Sequence, residues 1–208
     1  MKLTSKLFPS GPVVNYKKFR DSIEPGDLLL CSGSGWFSKM IQKGTKSPWS
    51  HVGFVMKLQE IDRVMVLESV EPLGVRAVPL SKYLTDYDSK GNAYPGGLVL
   101  ARHSSFLKKA TDAKMKKFGQ FAVELFGYPY DKDEIAKIAT RIASSYLHFS
   151  PKEKKELEPD REFICSEYVD ECYKSVGIKI VHNKLGFIAP ADFANAKEVT
   201  LQAILKKK

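Results

Sequence analysis

The chain reads as an α+β protein, and two observations carry that reading. Five short runs rich in β-branched and aliphatic residues fall in the first half: Asp27 to Cys31, His51 to Lys57, Arg63 to Ser69, Gly74 to Pro79 and Leu98 to His103. The second half then changes period, with apolar residues spaced as on helices. Strands first and helices afterwards predict an antiparallel sheet with helices packed on it.

Turn chemistry separates the strands at Glu24-Pro25-Gly26, Glu71-Pro72-Leu73-Gly74 and Ser89-Lys90-Gly91-Asn92. From Lys108 to Phe126, the residues Ala110, Met115, Phe118, Phe121, Ala122, Leu125 and Phe126 form one helical stripe, and Gly127 is its expected stop. Asp131 to Tyr146 and Phe163 to Val176 are further expected helices, parted by the charged stretch Ser150 to Arg161. In the last of them Ile164, Cys165, Tyr168, Val169, Cys172 and Val176 share an apolar face.

At 208 residues and 43% hydrophobic content the chain suffices for one core, so residues 1–208 are expected to form a single domain. Its core is expected over about residues 24–195, with a short N-terminal arm and a basic C-terminal tail. Three scattered cysteines, Cys31, Cys165 and Cys172, make no disulfide framework and suit a reducing compartment. Neither a signal-peptide pattern nor a run of eighteen apolar residues occurs, so a cytoplasmic location is expected, with peripheral membrane contact left open. The net charge is +9, but the lysines are dispersed, as at Lys108, Lys109, Lys114, Lys116, Lys117 and Lys206 to Lys208. Such spacing marks a solvated face rather than a nucleic-acid site, and no nucleic-acid partner is expected.

Cys165 opens a helical pattern, and His51 opens a strand far upstream. A helix N-terminus and a neighbouring imidazole are the two common devices that turn a thiol into a nucleophilic thiolate. Treating Gln59-Glu60 as a two-residue hairpin loop, with Leu58 facing Ile61, gives paired residue numbers a constant sum of 119. His51 then faces Glu68, close enough at about 4.5–5.5 Å between Cβ atoms for the carboxylate to orient the ring. Cys165, His51 and Glu68 are therefore the expected catalytic triad, with a buried inert thiol as the competing reading of Cys165. Cys31 is the rival nucleophile but has no helix start behind it, and Cys172 suits a core position. His103, His148 and His182 form no ligand pattern with the cysteines, and neither a metal nor an organic cofactor is expected.

The loop Ser32-Gly33-Ser34-Gly35 lacks the Gly-Lys-Ser/Thr ending of a nucleotide-binding loop. After it, Trp36, Phe37, Met40 and Ile41 make a short amphipathic face flanked by Lys39, Lys43 and Lys46. That face is read either as a helix roofing the cleft or as a contact for an acyl chain or membrane.

Taken in order, the blocks Gly26-Asp27, Ser50-His51-Val52-Gly53, Leu67-Glu68-Ser69, Gly127-Tyr128-Pro129-Tyr130-Asp131 and Ile164-Cys165-Ser166-Glu167-Tyr168-Val169 resemble the circularly permuted branch of the NlpC-type papain-like hydrolases. The lecithin:retinol acyltransferase group is a distant relative of that branch. The resemblance implies a permuted papain-like fold: a barrel-like antiparallel sheet carrying His51 and Glu68, with Cys165 at the start of a helix packed against it. It also implies a role for Tyr130 beside the nucleophile, helping to bind the reacting carbonyl. Ser50 and Trp36 are further candidates for substrate contact. The sequence departs from the usual pattern in Ser166-Glu167-Tyr168, where unpermuted wall peptidases carry Ser-Gly-Leu, and in the insert Ile135 to Glu162.

These residues lead to an expected cysteine amidohydrolase or peptidase that acts on a peptide or amino-acid-containing amide through an acyl-enzyme. The alternatives are a lipid-directed acyltransferase or lipid hydrolase using the same triad, and a lipid-binding module with an inert thiol.

Overall fold

A computed structural model describes residues 3, 6–109, 111–146, 162–184 and 186–207. The chain enters through β1 (Val13–Val14) and α1 (Tyr16–Phe19), then runs β2 (Leu28–Gly33), α2 (Trp36–Thr45), β3 (His51–Leu58), β4 (Arg63–Val70), β5 (Gly74–Pro79) and α3 (Leu80–Thr85). It continues through β6 (Gly96–His103), α4 (Phe106–Lys109), α5 (Asp112–Glu124), α6 (Lys132–Tyr146), α7 (Cys165–Ser175), α8 (Pro190–Asn195) and β7 (Val199–Leu205). The seven strands lie in the order β1-β7-β6-β2-β3-β4-β5. This is an α+β fold, as the sequence predicts, but the sheet is open rather than barrel-like, with β1 and β5 at its edges.

All five expected strands form, each within two residues of its expected bounds. The segment expected as a basic tail behaves differently. Val199–Leu205 pairs antiparallel with β6 and parallel with β1, so the sheet extends beyond both ends of the expected core. Lys207 Nζ then donates to the carbonyls of Tyr94 and Gly96 at 2.8 and 2.7 Å. The long stripe from Lys108 divides: α4 stops at Lys109, and α5 starts after Thr111, whose extended backbone serves as N-cap. Phe118 and Ala122 of that stripe are buried, whereas Phe126 lies past the helix end and is partly exposed.

Strand alternation sorts the core into two layers, because successive side chains leave opposite faces of the sheet. On one face Leu28, Leu30, Val52, Phe54 and Leu67 pack against Phe118, Tyr168, Val169 and Cys172, from α5 and α7. On the other, Leu29, Cys31, Val55, Val64 and Val66 meet Leu80, Tyr83 and Leu84 of α3. A third cluster gathers Ile41, Tyr130, Ile138, Ile142, Ile164 and Phe187 near the N-terminus of α7. Ile138 and Ile142 belong to the insert, whose charged stretch and His148 lie outside the described residues. Among the described residues no helix is long and apolar enough to cross a membrane.

Buried hydroxyls fix α7 to its neighbours. Tyr168 Oη donates to Ala122 O at 2.9 Å, and Tyr173 Oη donates to Gly26 O at 2.6 Å. Both tyrosines are fully buried, so removing either hydroxyl orphans a carbonyl. Tyr173→Phe is expected to cost about 1–3 kcal/mol in urea unfolding, while leaving the reactivity of the distant Cys165 thiol unchanged. An unchanged unfolding midpoint would refute this role for the Tyr173 hydroxyl.

Candidate active site

The thiol occupies the first residue of α7. Ile164, with φ −78° and ψ 164°, is extended and ends the incoming segment, and Glu167 Oε2 accepts from Ile164 N at 3.1 Å. Helix starts leave their first N–H groups without intrahelical partners, which favours negative charge there. The Cys165 sulfur meets the backbone N–H groups of Val52 and Ser166 and the ring of His51. Two hydroxyls position this turn. Ser69 Oγ donates to Phe163 O at 2.7 Å, and Ser166 Oγ donates to Ile188 O at 2.8 Å.

His51 is the first residue of β3, and its side chain is 14% exposed. Its Nε2 lies 2.7 Å from Glu68 Oε2, leaving the other ring nitrogen for the thiol. The pairing is not the direct one expected from a two-residue loop. Leu58 pairs with Arg63, because Gln59–Asp62 form a four-residue connection closed by Asp62 in the left-handed region, φ 52°. The true constant sum is 121, so Glu68 falls opposite Gly53 and reaches His51 diagonally. A shift of two preserves the face, which is why the expected partners still meet. Gly53 keeps the approach open: a Cβ there would lie 3.0 Å from Leu67 O and 3.3 Å from Glu68 Cβ.

Glu68 is fully buried and accepts from four donors. Arg76 Nε and Nη2 hold Oε1 at 3.0 and 2.9 Å. Oε2 takes His51 and the hydroxyl of Tyr83. Neither Arg76 nor Tyr83 is among the residues expected from the sequence. Arg76 is legible there all the same, as the lone charge in its strand and the register partner of Glu68 across the β4–β5 hairpin. Tyr83 gives no comparable signal, since α3 is a short helix without strong periodicity.

Electrostatics follow from these contacts. Burial opposes a charged Glu68, but His51, Arg76 and Tyr83 together hold its carboxyl below the usual range. Burial also opposes protonation of His51, yet its bonds to Cys165 and Glu68 push it up to about 10. For Cys165 burial is again unfavourable to charge, and His51 with the two backbone donors outweighs it, lowering the thiol. The arrangement therefore favours a thiolate–imidazolium pair. Cys31 pairs with His51 across β2–β3, but burial and then the charge of Glu68 raise its thiol far above the ordinary value. Cys172 is raised by burial as well. Both stay neutral.

A narrow cleft of ≈ 20 Å³ opens beside Cys165. Its walls are largely apolar, including Phe37, Ile41, Ile138, Ile164 and Phe187. Tyr130 lines it too, 7% exposed and kept un-ionised by burial and by the charge of Cys165. Ser50 also lines the cleft, though its Oγ accepts from Gly33 N at 2.9 Å and reaches Cys31 O at 3.4 Å. Trp36 is not brought to the cleft. At 79% exposure it points away, and the next residue, Phe37, supplies the wall. Thus α2 roofs the cleft, anchored by Gln42 Nε2 donating to Gly33 O at 2.9 Å. Among the other histidines, His103 Nδ1 accepts from Ser105 N and His182 lies near Asp170, both away from these contacts.

An open α+β sheet whose early strands carry histidine and glutamate, followed late in the chain by a cysteine at a helix start, is a permuted papain-like arrangement. The chain belongs to the family described as permuted papain-like amidase enzymes, YaeF/YiiX, C92 family, whose model matches residues 22–140. That span holds His51, Glu68 and Tyr130 and ends before Cys165. Among solved structures the chain is similar to YiiX from Escherichia coli O157:H7, described as a metalloprotein, at 21% identity and a TM-score of 0.60 over 88% of this chain and 97% of that one. No curated protein matches.

A pH series of site-resolved alkylation checks the electrostatics. An acid whose pKa is lowered ionises earlier as pH rises, so Cys165 is expected to label with a midpoint below the ordinary thiol value of 9.0, while Cys31 and Cys172 stay unlabelled in the native protein. A Cys165 midpoint at or above that value would contradict the ion pair.

Proposed function

We propose that this protein is a cysteine amidase acting through Cys165, His51 and Glu68 on a peptide or amino-acid-containing amide. The observation that carries the reading is the thiol at the start of α7, within hydrogen-bonding reach of a ring whose Nε2 is held 2.7 Å from a buried carboxylate. Membership of an amidase family supports the reaction class.

In this mechanism the Cys165 thiolate attacks the carbonyl carbon, forming a C–S bond as the carbonyl electrons move to oxygen. The Cys165 backbone N–H and the Tyr130 hydroxyl stabilise the resulting oxyanion. As the C–N bond breaks, His51 passes its proton to the leaving amine. Glu68 holds the ring in place throughout. His51 then takes a proton from water, which attacks the thioester, breaks the C–S bond and releases the acid. YiiX from Escherichia coli O157:H7 is described as a metalloprotein, but among the described residues of this chain no group of three or more His, Cys, Asp or Glu could hold a metal ion. The steps above run through this chain's own residues and water.

A second reading, acyl transfer from a lipid, is favoured by one feature: the apolar walls of the cleft, Phe37, Ile41, Ile138 and Phe187, suit an aliphatic acyl group. The nucleophile is the same, and the acceptor of the acyl group differs. Intact-mass analysis after incubation with separate pools of wall peptides and phospholipids distinguishes the two by the acyl adduct left on Cys165. Cys165→Ala is expected to abolish both adduct and turnover with native circular dichroism retained. Equal turnover by wild type and Cys165→Ala on a verified substrate would end the proposal.

A further inference from the structure

We propose that Arg76 is a positioning residue for the Cys165–His51 pair, acting through Glu68. This rests on the thiol reading above and adds to it a residue outside the triad. The guanidinium takes one carboxylate oxygen with two N–H groups, at 3.0 and 2.9 Å, from the strand directly paired with that of Glu68. Two N–H groups on one oxygen hold that oxygen in place and set a permanent positive charge beside it. With Oε1 committed to Arg76, only Oε2 is left to meet His51, and Tyr83 donates to that same oxygen from α3.

The geometry has two consequences. Glu68 is fully buried while the Arg76 side chain is 26% exposed, so the cation links a desolvated anion to solvent. Without it, a carboxylate in this place takes up a proton or stands as an uncompensated negative charge. In the first case His51 loses its counter-ion; in the second the Cys165 thiolate faces an added negative charge. Either outcome disfavours the thiolate. The other titratable groups around the carboxylate are Tyr83 from α3, Tyr87 just beyond it, Tyr94 before β6, Cys31 on β2 and Cys165 itself. Burial raises the three tyrosines and Cys31, so none of the four replaces the positive charge of Arg76.

The test is the pH dependence of Cys165 alkylation, resolved by site, in wild type, Arg76→Met, Arg76→Lys, Glu68→Gln and the double variant Glu68→Gln/Arg76→Met. In Arg76→Met the midpoint is expected to rise by about one pH unit, a tenfold loss of thiolate at a fixed pH below it. Arg76→Lys keeps the charge without the paired N–H contact and should recover part of that shift. In the Glu68→Gln background, Arg76→Met should move the midpoint no further. An Arg76→Met midpoint equal to wild type overturns the proposal, as does a further upward shift in the double variant, which would mean that Arg76 acts by another route. If Arg76→Met does not fold, Arg76→Lys decides: an unchanged midpoint overturns the role, and an upward shift supports it. Wild-type Cys165 labelling no faster than in denatured protein would instead remove the thiol reading, and this role with it.

Discussion

The buried carboxylate of Glu68 is the constraint on which the rest of the site depends. It lies at the centre of three paired strands, where a lone charge would be driven to neutralise. Four donors prevent that, and they come from three elements: His51 from β3, Arg76 by two nitrogens from β5, and Tyr83 from α3. The strand order β3-β4-β5 places the carboxylate between its ring and its guanidinium. Because the carboxylate is full, the ring has one position, and because the ring has one position, the sulfur has a fixed partner.

The sheet divides this site. Glu68 and Ser69 are consecutive and leave opposite faces of β4. Glu68 joins Arg76 and Tyr83 on the α3 side, and Ser69 holds the carbonyl of Phe163 on the α7 side. Two neighbouring residues thus locate the His51 ring through one face and the start of α7 through the other. His51 connects them because it begins its strand, where its ring can reach both the carboxylate and the start of α7. The unusual residues after the cysteine also serve this placement. Glu167 accepts from Ile164 N, and the Tyr168 hydroxyl ties the helix to α5.

How much of this is legible in the sequence depends on parity more than on register. A two-residue loop places the hairpin two residues away from its real register, which a four-residue connection sets, yet a shift of two leaves every side chain on its face. His51 and Glu68 therefore meet as expected, diagonally instead of directly. Cys165 is legible because helix-start chemistry is local. What the sequence hides is non-local: Tyr83 reaches Glu68 only through the packing of α3, and Val199–Leu205 becomes a strand only because β6 and β1 offer it edges. Trp36 misleads because a helix's apolar face is legible while its rotation over a cleft is set by packing, and here Phe37 and Ile41 face inward.

Proton linkage follows from assembling the pair only in the folded state. Where the folded pair is a thiolate facing an imidazolium it holds one proton, on the ring, and between 6.5 and 9.0 the unfolded chain also holds one, on the thiol, so such a pair gives stability no pH slope there. Below the unfolded histidine value of 6.5 the unfolded chain binds a second proton, and the contribution of the depressed Cys165 is progressively lost as pH falls. Above the unfolded thiol value of 9.0 the unfolded chain holds none, while His51 keeps its proton up to about 10, so the raised histidine's contribution is lost as pH climbs through that range. The ion pair outlasts the flat interval on the alkaline side, because His51 keeps its proton up to about 10 while the unfolded thiol is already ionised above 9.0. Reactivity and fold depend on the same contact, because the thiolate exists only while α7 is seated against β3 and Glu68 is held by β5.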